Sequence, residues 1–462
     1  MFGELRTVWN PLLIGLFVWA GALFFGFGQQ PLLAEAAETS VSEDSRDETS
    51  VSGRIFSDFY IPTGNFFNGS LQQISGSAWL QLDPKVGEGT SAHLILTADQ
   101  IAASSVSGKG GFSPGVREGY VHYFKSGWNV RMGKMILPWG KSDGVNPTDF
   151  LTAKDYGFFN PDDEVRRIGA VSVLLSWTPS SGNSPFTFTF VGTPVFPQSV
   201  LLLAPGQIPS GLSGVSTIQS PATTLSNSEL ALKVAYSGEG WDASVLVFKG
   251  WNHLPEIGVN SVSISGTTPT VSVSQGFHQY RALGGDSSVS FGKYVLRGEA
   301  AYVWTENGDG QNPMIQPSHL DAVVGLERGI GDDFRVQTQF LIRYFPYFTP
   351  PSQATDPNPV MAFVYQQVAG VNALIQNYQD VWRPAASFRL SYSNDQNRLA
   401  GEVFLLGNFL GGGLLLRPEV TYRLSDSLKA TLGLNYYAGP ADRPLGVLAP
   451  YNALYTELKY VF

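Results

Sequence analysis

The chain has no cysteine among its 462 residues. That excludes a disulfide framework, cysteine-based zinc sites, iron–sulfur ligation and haem attachment through C-x-x-C-H. Histidine is scarce, at five residues, and none has a partner at the metal-ligand spacing of H-E-x-x-H. No cofactor is expected. Charge is scarce too: Asp, Glu, Lys and Arg make up 15% of the chain, against about 25% in soluble domains. The formal net charge is −9, which argues against nucleic acid as a partner. No phosphate-binding glycine loop follows a strand-like segment, so nucleotide chemistry has no support. Past the amino terminus, no stretch reaches the roughly 18 apolar residues of a transmembrane helix. A membrane location would therefore require strands.

Glycine, by contrast, is abundant, with 51 residues, and aromatic residues make up 13%. The mean hydropathy is −0.01, too neutral for a helical membrane protein. A transmembrane barrel reconciles these numbers, because its strands alternate lipid-facing apolar and lumen-facing polar residues. Residues 1–36 read as a secretory signal peptide: Arg6, an apolar stretch from Leu12 to Phe27, then Ala34-Glu35-Ala36 as a cleavage pattern. An uncleaved helical anchor is the alternative. Residues 37–50 are acidic and rich in Ser and Thr, and read as a short disordered tail.

From residue 51 to 462 the dominant period is two. Phe334, Val336, Thr338, Phe340, Ile342 and Tyr344 share one face, and Arg335, Gln337, Gln339, Leu341 and Arg343 the other. Leu428, Ala430, Leu432, Leu434 and Tyr436 alternate in the same way with Lys429, Thr431, Gly433, Asn435 and Tyr437. Trp128, Trp177, Tyr294 and Trp304 stand near strand ends, where membrane girdles place aromatic residues. A soluble sandwich would also alternate, but the connections discriminate. Short ones fall near 83–90, 125–128, 178–185, 237–241, 291–294, 329–333, 393–397 and 425–428. Outer ones fall near 62–70, 101–115, 139–165, 196–227, 251–277, 306–317, 349–382, 408–413 and 439–451. Short periplasmic turns and long outer loops are the asymmetry of outer-membrane barrels. The expectation is an all-β, antiparallel barrel of about 18 strands, with 16 as the alternative, and both termini periplasmic.

The chain ends Tyr455-Thr-Glu-Leu-Lys-Tyr-Val-Phe462, with Leu458, Tyr460 and Phe462 on one face. This resembles the terminal strand of Gram-negative outer-membrane barrels, whose last Phe is recognised by the barrel-assembly machinery. The segment from Trp139 to Phe150, WGKSDGVNPTDF, is similar to a loop of porin-like barrels grouped near alginate-export proteins. The resemblance implies an outer-membrane porin, a passive channel and not an enzyme, with lipid and small polar or anionic solutes as partners. Homotrimer formation is implied by the same resemblance. In general porins the third outer loop folds inward and narrows the pore. Here that loop, 139–165, carries Lys141, Asp143, Asp149, Asp155, Asp162, Asp163 and Glu164. The alternation assigns Arg131, Arg297, Glu299, Arg335, Arg343, Arg389, Arg417 and Arg423 to the lumen wall. Acids facing bases across a lumen would set up a transverse field favouring polar solutes. Asp, Asn, Gly and Pro are also ordinary turn formers, and the arginines could simply pair with Glu299, Glu402, Glu419 and Glu457. A calcium site built from Asp143, Asn146 and Asp149 is a weaker candidate, since the spacing is not that of an EF-hand. Within 349–382, Met361, Val364, Val368, Val371 and Ile375 show a helical period over 360–376. Such a helix would lie over the pore mouth or pack on neighbouring loops. The competing functions are a scaffold barrel for an electron-transfer partner and an outer-membrane hydrolase.

Overall fold

The computed structural model describes residues 49–64, 73–104, 111–156, 160, 162–200, 212–265, 268–394 and 398–462. The signal-peptide expectation, and that of the acidic tail up to residue 48, lie outside the described residues. The main sheet closes on itself. Eighteen strands cross the wall, and a three-residue piece, Lys85–Gly87, decorates the first short turn. In chain order the wall strands are β1 Ser50–Pro62, β2 Gln73–Asp83, β3 Thr90–Ser104, β4 Gly111–Lys125, β5 Trp128–Met135 and β6 Ala170–Trp177. Next come β7 Phe186–Thr193, β8 Glu229–Gly238, β9 Trp241–Trp251, β10 Gln279–Phe291, β11 Tyr294–Thr305 and β12 His319–Ile330. The last six are β13 Phe334–Tyr344, β14 Trp382–Ser393, β15 Leu399–Asn408, β16 Leu414–Arg423, β17 Leu428–Ala438 and β18 Ala453–Val461.

Each strand pairs antiparallel with its sequence neighbours, and β1 closes the ring on β18 with Arg54 opposite Val461 and Tyr60 opposite Tyr455. Closure matters because lipid offers no partner for a free backbone N–H or C=O, and a ring of strands has no edge. The short turns all fall at the end that holds both Ser50 and Phe462. In one of the two-residue turns Ser126 (φ 52°) and Gly127 (φ 81°) both adopt positive φ, the twist that suits such a hairpin. A Cβ on Gly127 would collide with the carbonyl oxygen of Thr178.

The wall has two faces, as the period-two pattern requires. Phe340 is 64% exposed while its neighbours Gln339 and Leu341 are buried. Leu432 is 57% exposed between lumen-side Thr431 and buried Gly433. Exposed aromatics ring the turn end, with Trp128 stacked on Trp177 at 5.8 Å and Trp177 on Phe188 at the same separation. Toward the loop end, Tyr344 stacks on Trp382 at 4.1 Å.

Two expectations need correction. The connection placed at 101–115 is shorter: β3 runs to Ser104 and β4 begins at Gly111. Its Ser- and Gly-rich sequence reads as loop, yet cross-strand pairing of Ile101 with Gly111 and Gln100 with Phe112 keeps 101–104 and 111–115 extended. The first strand also starts one residue earlier than expected, with Ser50 already opposite Asp83.

The outer loops form their own packed unit. Glu256–Ser265 and Thr268–Gly276 make a hairpin, and Leu212–Ile218 joins it in parallel. On this small sheet lies the helix Pro359–Gln376, begun by Asn358, which accepts from Val360 N at 2.9 Å, and by Pro359 in its first turn. It ends at Asn377 in the left-handed region (φ 52°), where Tyr378 N reaches back to Ala373 O at 2.9 Å. Val364, Val368, Val371 and Ile375 form one buried cluster with Ile257, Val271, Val273, Tyr60 and Tyr455. The helix therefore packs on the neighbouring loops and on the outer ends of β1 and β18.

Candidate functional site: the lumen and the third outer loop

The third outer loop leaves the wall after Met135 and returns at Ala170. Its first part is apolar and adheres to the inner wall. Leu137, Trp139, Phe150 and Leu151 are buried with Leu174, Val191, Leu246, Phe248 and Val303. Phe150 stacks on Phe248 at 5.5 Å. Burying large side chains of this kind contributes about 1.5–3 kcal/mol each.

The loop's turn is gripped by polar groups of the wall. The Glu299 carboxylate accepts from the backbone N–H groups of Lys141 and Ser142 and from Thr148 Oγ1 at 3.0 Å. Glu299 thus serves loop amides rather than an arginine. Lys141 pairs with Asp242 and stands 3.5 Å from Asp286. Burial pulls the Lys141 ammonium below its ordinary value, and the Asp286 charge opposes that shift. Asp143 accepts from Arg389 Nε at 2.7 Å, and Arg389 also donates to Glu402. The Gln339 amide meets the Asp143 backbone at 2.8 and 2.9 Å and Ser387 Oγ at 3.2 Å. Val145 packs on the cluster of Val323, Leu341, Ala385 and Phe404.

The far end of the loop is bound to other strands. Asn160 donates to Asp58 at 3.2 Å, Arg54 pairs with Glu164 at 3.1 Å, and Lys459 lies 3.9 Å from Asp162. Arg117 donates to the carbonyl oxygens of Glu164 and Arg167. The Trp79 ring lies between two guanidiniums, Arg54 at 3.6 Å and Arg117 at 4.2 Å. A bulge in β4 makes this possible: Ile95 faces Glu118 while Leu96 faces Val116, so Arg117 is extra.

Within the loop, burial alone would raise Asp163, but Lys154, Arg166 and Arg167 together hold it well below the usual carboxylate range. Lys154 Nζ is 2.9 Å away and Arg167 Nη2 2.9 Å. Burial raises Asp149, against the pull of Arg167 and Lys154; its Oδ1 accepts from Thr152 at 2.7 Å. The Asp155 backbone N–H donates to Arg166 O at 2.7 Å, and the residue bridges to Val200 of the fourth loop. The three calcium candidates go separate ways: Asp143 to Arg389, Asp149 to Thr152, and Asn146 to the Ser142 carbonyl at 2.6 Å. Among the described residues, no group of three or more His, Asp or Glu is arranged to hold a metal ion.

On the wall, Arg297 donates to Glu327 at 2.6 Å, and Arg335 pairs with the same carboxylate at 3.2 Å. Arg343 forks onto Asp321, and Arg417 donates to Asn435 at 2.8 Å. Arg131 sits 5.9 Å from the Tyr120 ring, with Nε buried and unbonded. Sequence reading missed Arg54, Trp79, Arg117, Lys459 and Asn160. The signal for Lys459 was there in the alternation, since it falls on the phase opposite Leu458, Tyr460 and Phe462. No local signal marked Arg117, because a bulge changes the phase.

No family model and no curated protein matches the chain. Solved structures do. The outer membrane protein OpdK of Pseudomonas aeruginosa aligns over 90% of this chain and 98% of its own, with 8% identity and a TM-score of 0.52. OccK9 (OpdG) of the same organism aligns over 90% and 98%, with 10% identity and a TM-score of 0.50. OccD1 (OprD) aligns over 90% and 95%, with 6% identity and a TM-score of 0.50. At such identities the likeness is one of fold. Together with the closed ring and its exposed apolar belt, it gives this chain the closed β-barrel architecture of outer-membrane porins.

Proposed function

We propose that the protein is a passive outer-membrane channel for small polar or anionic solutes, narrowed by its third outer loop. One observation carries the reading. The same loop is tied through Asp143 to Arg389 on β14 and through Glu164 to Arg54 on β1. Counted round the ring, those two strands are five apart, and the Glu299 contact on β11 lies further still, so the loop reaches widely separated parts of the inner wall. Such a bridge reduces the free cross-section and brings solutes against polar side chains, which is how a filter discriminates. Residues 1–36 fit this reading as the export signal, and three copies per assembly is the arrangement that the likeness to general porins implies.

Single-channel recording in planar bilayers tests the proposal. Discrete, salt-dependent conductance steps are expected from folded protein. Deleting 142–148 should enlarge the steps and leave barrel folding, read by heat-modifiable gel mobility, intact. Folded protein that passes no current would overturn the channel; unchanged steps after the deletion would overturn the constriction.

A further inference from the structure

Most basic groups of the inner wall have a visible counter-ion: Arg297, Arg335, Arg343 and Arg389 each meet a carboxylate. Arg131 stands singly against the Tyr120 ring, and one row sets three cations side by side. Arg423 is the direct cross-strand partner of Lys429, and Lys429 of Lys459. All three lie on the lumen phase, opposite in alternation to exposed Tyr422, Leu432 and Leu458. Like charges set directly opposite each other on adjacent strands repel and destabilise the pairing. The chain as a whole is acidic, with 38 Asp and Glu against 29 Lys and Arg, so a shortage of acids does not explain the row.

The nearest acids lean toward one end of the row, and the Glu457 charge also reaches Lys429. Glu457 lies 3.4 Å and Asp162 3.9 Å from Lys459. Among the described residues neither Arg423 nor Lys429 has a carboxylate within ion-pairing distance, and Arg423 Nε is buried with no hydrogen-bond partner. Three cations at the strand spacing of about 4.8 Å span roughly 10 Å. The row stands at the turn end of β16, β17 and β18, which is the periplasmic exit of the lumen.

We propose that Arg423, Lys429 and Lys459 form a binding station for a small multivalent oxyanion at the periplasmic end of the channel. The guanidinium supplies a fork for two oxygens, and the ammonium groups supply point charges beside it. A divalent oxyanion interacts with all three charges at once, whereas chloride is held by one or two. The station rests on the channel reading and adds to it a position and a ligand class.

The probe is inorganic phosphate, added to the full-length barrel conducting chloride in a bilayer. Expected is a concentration-dependent reduction of chloride current, stronger when phosphate is added from the periplasmic side. In K429Q the half-blocking concentration should rise about tenfold, as loss of one unit charge a few ångströms away implies. R423Q should raise it similarly. K249Q, on the outward phase of β9 with its ammonium donating to Ser226 O at 3.4 Å, should leave it within about twofold. A half-blocking concentration unchanged in both K429Q and R423Q would overturn the station and leave the channel standing. Absence of any current from folded wild type would overturn the channel instead. In that case calorimetric titration of detergent-solubilised protein with phosphate decides the station: saturable heat lost in K429Q supports it, and no saturable heat refutes it.

Discussion

Replacing Glu299 by Ala should free the third loop from the wall without unfolding the barrel. The carboxylate accepts three hydrogen bonds, two from loop amides and one from Thr148. A hydrogen bond to a charged group contributes about 1.5–3 kcal/mol. Taking the lower figure, because lumen water can replace part of the loss, gives roughly 4 kcal/mol for the set. At about 1.4 kcal/mol per factor of ten, local opening of 139–150 becomes about a thousandfold more frequent. Hydrogen–deuterium exchange read by mass spectrometry on peptides covering these residues would show it directly. Exchange should accelerate there and stay unchanged in β12 and β13. Thr148→Val, which removes one of the three bonds, should give an acceleration of about tenfold. Should exchange in E299A match the wild type while the protein keeps its heat-modifiable mobility, the carboxylate does not anchor the loop, and the apolar contacts of Trp139 and Phe150 with the pairings of Lys141 and Asp143 hold it.

Three more outcomes are expected. Phe340→Arg should cost about 2–4 kcal/mol in refolding titrations into liposomes, whereas Gln339→Ser, one residue away on the lumen side, should cost about 1; equal costs would contradict the two-faced wall. Asn372 accepts from Ile257 N at 2.7 Å and donates to Ile257 O and Met314 O, each at 2.9 Å. Asn372→Leu should therefore loosen the outer-loop unit by about 2–4 kcal/mol, seen as faster proteolysis within 345–381 with the barrel core resistant. Burial pushes Glu256, in the loop hairpin, up to about 7, with His278 Nε2 3.1 Å away opposing the shift. A carboxyl whose folded value is raised favours the folded form while protonated, so that contribution is complete below its ordinary value of 4.5 and is lost as pH rises through about 7. Exchange protection of 254–278 should fall between pH 5 and pH 8, and E256Q should flatten that fall; a flat wild-type profile would count against a buried acid there.

The ring of strands was readable because a barrel wall repeats one physical demand. Phe340 and Leu432 meet hydrocarbon while Gln339 and Asn435 meet the lumen, and that contrast recurs at every second residue. Short turns such as Ser126-Gly127 are equally local, since positive φ selects their residues. The same logic misled at 101–104 and 111–115, where Ser and Gly suggested loop and the partner strand kept the backbone extended. The path of the third loop had no such periodic signature. Which wall Asp143 meets depends on Arg389, 246 residues away in sequence, and nothing near either residue encodes that distance. The helix Pro359–Gln376 lay between these cases. Its apolar spacing and its cap at Asn358 were local, but the surface that covers Val364 and Val368 comes from three other loops and the ends of two strands.

The charge pattern of the loop alters what its acids can do. Read as a row of turn residues, Asp143, Asp149, Asp162, Asp163 and Glu164 suggest a negative rim facing basic residues across open water. In the folded chain those charges are largely taken up at once. Asp143 is spent on Arg389, Asp163 on Lys154, Arg166 and Arg167, and Glu164 on Arg54. A carboxylate locked to a guanidinium at close range presents a dipole rather than a charge to a passing ion, and its field falls off faster with distance. The wall arginines matched to Glu327, Asp321 and Glu402 are muted in the same way. Among the described residues, Arg423 and Lys429 set two cations side by side without a carboxylate at ion-pairing distance, and Arg131 adds a third on the far wall. If the proposed channel holds, a chain with a net charge of −9 is expected to pass anions in preference to cations, because permeant ions respond to the charges left open along their path; a reversal potential of cation-selective sign under a salt gradient would refute that expectation.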